Sequence, residues 1–141
     1  MTTLAPMSPR LDAPSVSTTA IWSGRVLSTL LILFLLFDGA IKLVPLAIVT
    51  ETSLLLGIPT HLARTLGALT LTGAILYAIP RTSVLGAILL TGYLGGAVAT
   101  HVRVGSPLAS HVLFPVYVAL LIWAALFLRE DRLREIVPLR S

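Results

Sequence analysis

Four long apolar stretches, each about as long as a bilayer is thick, take up almost the whole of this 141-residue chain. Hydrophobic residues make up 56% of it and charged residues only 11%, and the mean hydropathy is +0.97. A water-soluble domain of this size needs far more polar surface to cover its core. The chain is therefore expected to be solvated by lipid. The expected fold is all-α: a four-helix transmembrane bundle, antiparallel and up-down, counted in crossings of roughly 20 residues each.

Residues 1–20 are rich in Thr, Ser and Pro, with Pro6, Pro9 and Pro14 interrupting any helix. They are expected to form a disordered cytoplasmic tail. The apolar run behind them is too long for a cleaved signal peptide. The first span is placed at about 25–48, where Pro45 withholds a donor from the carbonyl of Ile41 and ends or bends the helix. Residues 50–60 read as a loop, with Gly57-Ile58-Pro59 as turn chemistry. The second span, about 62–79, stops at Pro80, and Pro80-Arg81-Thr82-Ser83 leaves room only for a tight turn into a third span at about 84–100. Ser106-Pro107 is a helix-start signal with Ser106 as N-cap, opening a fourth span at about 107–128 that contains Pro115. The membrane domain is thus residues 21–129. Residues 130–141 form a polar cytoplasmic tail, in which Leu133, Ile136 and Val137 can rest on the membrane surface.

Charge sets the expected orientation. With both termini cytoplasmic, that side carries Arg10, Arg25, Arg81, Arg129, Arg132, Arg134 and Arg140, against Lys42, Arg64 and Arg103 on the other. The protein is expected to be multi-pass in the cell (inner or plasma) membrane, with the lipid bilayer as its first partner. A net charge of +4 on so few charged residues reads as this topology signal and not as nucleic-acid binding. The chain has no cysteine, which excludes thiol–disulfide exchange and thiolate ligation of Fe–S or haem iron by its own residues. No phosphate-binding glycine loop or Ser-His-Asp order is legible.

The polar residues inside the spans gather at one depth. Asp38 lies thirteen residues past Arg25, roughly 20 Å into the membrane. Lys42 is one turn further on the same face, so the two can neutralise each other. His61 and Arg64 open the second span at that level, His101 and Arg103 close the third, and His111 opens the fourth. The Asp38–Lys42 pair reads first as a structural ion pair and second as a proton-relay or ligand-binding carboxylate. The histidines read first as interfacial polar residues. They read second as donors to a quinone carbonyl or similar head group, with Arg64 and Arg103 suited to an anionic or carbonyl-bearing ligand. Axial haem ligation ranks below these, and a metal site lowest, since no zinc spacing is present. Gly92 and Gly96 form a GxxxG pattern, expected to serve packing within the bundle ahead of a homodimer seam.

Several stretches resemble the DoxX-like family of small four-helix membrane proteins. They are Phe37-Asp38-Gly39-Ala40-Ile41-Lys42-Leu43, Gly57-Ile58-Pro59, Pro80 to Ala87, Gly92 to Arg103, and Trp123 to Arg134, so the resemblance covers about residues 25–134. It implies an accessory or quinone-interacting component of a membrane redox system and not a stand-alone enzyme. The family also implies assembly partners of other membrane protein subunits. It supplies no catalytic motif to carry over residue by residue, so no catalytic residue is assigned. A small-solute carrier is the third reading, opposed by the few midplane polar groups and the lack of an inverted repeat.

Overall fold

In the computed structural model, residues 17–130 and Leu133 are described. Residues 1–16 of the tail expected at 1–20, and most of the tail expected at 130–141, lie outside the described residues. Five α-helices follow one another: α1 (Thr18–Leu43), α2 (Ala47–Leu55), α3 (Leu62–Ala78), α4 (Ser83–Arg103) and α5 (Phe114–Arg129), with a π-helical turn at Leu108–Val112 before α5. No strand occurs among the described residues.

Helix ends follow local chemistry. The Ser17 side chain accepts from the amide of Ala20 at 3.3 Å and caps α1, so Thr18–Ala20 are helical and not part of the tail. Pro45 ends α1 at Leu43 instead of bending it. A residue before proline is pushed to extended backbone, and Val44 obeys, turning its amide to the carbonyl of Ile41. The first long helix therefore stops short of the expected Ile48, which belongs to α2. Half of the expected 50–60 loop is likewise helix. Gly57 (φ 62°) then closes α2 in the left-handed region that side chains avoid.

At the far end of α3, Pro80 has no amide to give the carbonyl of Leu76. The hydroxyl of Thr82 gives it one instead, at 2.8 Å. Ser106 does not cap a helix as expected: its hydroxyl lies 3.0 Å from Nδ1 of His101, and the π-helical turn has no side-chain cap. The expected continuous span at 107–128 is divided. The turn Leu108–Val112 is π-helical, and Pro115 sits at the start of α5, where a missing amide costs nothing.

Three helical segments are long and apolar enough to cross a membrane: α1, α4, and Leu108–Arg129 taken together, with mean hydropathies of 2.1, 1.6 and 2.2. Only 22%, 28% and 33% of their most apolar windows are buried, so most of their apolar surface faces outward. Leu30, Leu33 and Leu120 are at least 60% exposed, whereas Ser28, Thr70 and Ser83 are at most 1% exposed. The polarity is that of a lipid-solvated protein, with hydroxyls inside and leucines out. Several exposed hydroxyls are satisfied within their own helices: Thr29, Thr72 and Thr100 each donate to the carbonyl four residues back, as a hydroxyl facing hydrocarbon must.

Contacts fix the topology. The pairs Gly39–Gly67 and Ser28–Tyr77 run α1 against α3 antiparallel. Gly73–Leu90 and Gly86–Tyr77 do the same for α3 and α4. Gly24–Leu128 and the edge-to-face rings of Phe34 and Phe114 do so for α1 and α5. Trp123 donates to Thr91 across α4 and α5 at 2.9 Å. The four helices thus close a ring, with α1 and α4 on opposite corners and α2 leaning on α3. The closest approaches use Gly24, Gly39, Gly67, Gly73 and Gly86. Around Gly92, Gly95 and Gly96 a Cβ would meet nothing within 4 Å. Among the described residues the GxxxG stripe is therefore not a packing surface, because it lies on the outer side of α4.

The interior is centred on Leu31 and Leu35 of α1, Tyr77 of α3, Leu90 of α4 and Ile122 and Leu126 of α5. Leu133 packs against this core, so it turns inward and does not rest on the membrane surface.

Candidate functional site

Because neighbouring helices alternate in direction, the end of α1, the start of α3, the end of α4 and the π-helical turn share one end of the molecule. That end holds Asp38, Lys42, His61, Arg64, His101, Arg103 and His111. The opposite end holds Arg25, Arg81, Arg129 and Glu130 among the described residues.

The inward stripe of α1 is apolar through Leu31 and Leu35, then turns polar at Asp38 and Lys42. The two side chains form a salt bridge one helical turn apart, with side-chain exposures of 32% and 23%. Asp38 sits about 30 Å along α1 from its first residue, near the end of the helix, with its charge offset by Lys42. Lys42 also reaches across the ring, its ammonium 5.9 Å from the centre of the Tyr93 ring on α4. This cation–aromatic contact joins the two helices that occupy opposite corners. On α4, Tyr93, Ala97 and His101 follow at four-residue spacing. They are half-buried and continue inward the line of Leu90 and Leu94. Small Ala97 separates the phenol from the imidazole.

The histidines fall into two groups. His101 and His111 come together, with ring centres 5.7 Å apart and planes at 65°. Nδ1 of His101 lies 3.0 Å from the Ser106 hydroxyl, and Nδ1 of His111 lies 2.8 Å from that of Ser110. His61 stays apart: it is exposed at the N-cap of α3. Arg64 is exposed one turn on, and neither side chain makes a hydrogen bond or ion pair among the described residues. Arg103 folds back and donates to the carbonyl of Leu56 at 2.7 Å, tying the end of α4 to the α2–α3 loop. No group of three His, Asp or Glu suited to a metal occurs among the described residues. Two open surface recesses lie elsewhere, one along Trp22, Val26 and Leu30 and one against Glu51, Leu54 and Leu55.

A second polar knot, at the opposite end, has no counterpart in the residues singled out from sequence. Tyr77 is fully buried; its hydroxyl donates to the carbonyl of Ile122 at 3.0 Å and lies 3.3 Å from the Ser28 hydroxyl. Arg129 stacks its guanidinium 4.7 Å from the centre of that ring and donates to the backbone carbonyl of Tyr77 at 2.8 Å. One knot thus ties α1, α3 and α5 and caps the end of α3. The signal for it was present: a tyrosine in the last turn of a helix that Pro80 deprives of donors.

A family model described as the DoxX-like family matches residues 26–125, which includes every helix from α2 to α4 and most of α1 and α5. No curated protein and no solved structure matches the chain.

Proposed function

The chain belongs to the DoxX-like family, and on that premise we propose that it is a four-span accessory protein of a membrane redox system, binding a quinone-type head group at its polar end. The fourth crossing is α3. At 17 residues it is about 25 Å long, short of a roughly 30 Å hydrocarbon layer. It nevertheless runs alongside α1 from Gly39–Gly67 to Ser28–Tyr77, and local thinning absorbs such a mismatch cheaply. The excess of arginine at the other end supports an orientation with both termini in the cytoplasm and the polar end on the opposite side of the cell membrane.

One observation carries the head-group reading. Lys42 is held by Asp38 against Tyr93, half-buried between opposite corners of the ring. An ammonium and a phenol there are two donors for the carbonyls of a planar ring, beside the packed leucines Leu35, Leu90 and Leu94. His101 and Arg103 form the rim above. A quinone analogue titrated into the purified protein will bind, and Asp38→Asn and Lys42→Met will each weaken binding about tenfold or more, the effect of losing a hydrogen bond to a charged group. Equal binding by both variants contradicts the reading.

A second reading, a packing partner within a larger membrane complex, is favoured by the open face at Gly92, Gly95 and Gly96, which nothing among the described residues covers.

A further inference from the structure

The geometry points to a metal site that uses neither Asp38 nor Lys42: a divalent transition-metal ion held between His101 and His111. Their spacing in sequence matches no zinc pattern. The pairing is made by the fold, which turns the end of α4 back through Gly105 (φ 70°) onto the π-helical turn. Turns of that kind re-aim side chains and recur at functional sites, and this one carries His111.

Two imidazole nitrogens about 2.0–2.1 Å from a shared ion put their ring centres roughly 5–6 Å apart. The observed separation is 5.7 Å. Each ring also has a polar partner on its other nitrogen, the kind of contact that fixes the tautomer of a metal-ligating imidazole. Nδ1 of His101 is on Ser106 and Nδ1 of His111 is on Ser110. With Nδ1–H donated to the serine, Nε2 carries the lone pair, and neither Nε2 has a partner among the described residues. Access is open, since His111 is exposed and His101 half-buried. The neighbouring cations are engaged elsewhere: Arg103 with the carbonyl of Leu56, and Lys42 with Asp38.

The donor set selects the ion. The chain has no thiolate to offer, and no third His, Asp or Glu joins the pair among the described residues. Two imidazoles with water in the remaining positions suit Cu(II) and Zn(II), and Cu(II) binds the tighter of the two. The site is separable from head-group binding, because Asp38→Asn, which takes the ion-pair partner from Lys42, leaves both imidazoles in place.

The test is a Cu(II) titration of the full-length protein in lipid nanodiscs, followed by calorimetry and electron paramagnetic resonance without any quinone present. The expected result is a site whose spectrum shows coupling to two imidazole nitrogens. His101→Ala and His111→Ala each weaken it at least tenfold and remove one nitrogen, whereas His61→Ala and Asp38→Asn leave it unchanged. His111 is exposed, so its replacement does not endanger the fold. Wild-type affinity in His111→Ala, or an equal loss in His61→Ala, would overturn the assignment.

Discussion

Gly86→Ala is expected to destabilise the folded chain by about 1–3 kcal/mol or more, a large penalty for one added methyl group. A Cβ at this position would lie 2.3 Å from the amide nitrogen of Tyr77, 2.6 Å from its Cα and 2.8 Å from the carbonyl carbon of Leu76. All three are backbone atoms, so no side chain can swing away. The hairpin turn through Pro80 holds α3 and α4 together close by, and relief requires moving one helix against the other. Gly92→Ala and Gly96→Ala supply the contrast. Nothing lies within 4 Å of either site, and alanine favours a helix interior over glycine by about 0.5–1 kcal/mol. Unfolding in detergent should therefore rank Gly86→Ala well below the native chain and the other two at or above it. A large loss in Gly92→Ala or Gly96→Ala would mean that the outer face of α4 is packed.

Tyr77→Ala is expected to cost about 3–5 kcal/mol, as other aromatic-to-alanine changes in packed interiors do. The ring is fully buried where α1, α3, α4 and α5 meet, and the Arg129 guanidinium loses its stacking surface with it. Tyr77→Phe separates packing from hydrogen bonding. It keeps the ring and removes the bond to the carbonyl of Ile122 and the contact with Ser28, for a loss of about 1 kcal/mol. The same unfolding measurement reads both. If Tyr77→Phe cost as much as Tyr77→Ala, the hydroxyl network and not the ring would hold this end together.

The placement of the polar end could be read from the chain by counting helices in alternation from Asp38. The antiparallel contacts put His61, His101 and His111 at that same end. What could not be read depends on which side of each helix faces in. In lipid, both the core and the outer surface are apolar, so a run such as Leu30–Phe37 carries almost no periodic signal. That is why the GxxxG spacing of Gly92 and Gly96 is legible as a pattern, while nothing in the sequence marks Gly39, Gly67 and Gly86 as the glycines in contact. The helix α2 was missed because Ala47–Leu55 follows a proline and mixes hydroxyls with leucines. Its Thr50, Thr52 and Ser53 hydroxyls all fold back onto carbonyls four residues earlier, a solution that composition does not reveal. The meeting of His101 and His111 depends on a π-helical turn, and no propensity argument anticipates one.

With lipid around these helices, the ionisable groups at the ends of α1 and α4 are expected to share one membrane face. Since the chain has no cysteine, single cysteines placed at His61, Arg103, Arg81 and Glu130 can be labelled in intact cells with a maleimide that does not cross membranes. Positions 61 and 103 should react from outside, and positions 81 and 130 only after the membrane is opened. Labelling of 61 and 103 from opposite sides would contradict the account, and so would a chain that stays dispersed in water with no detergent.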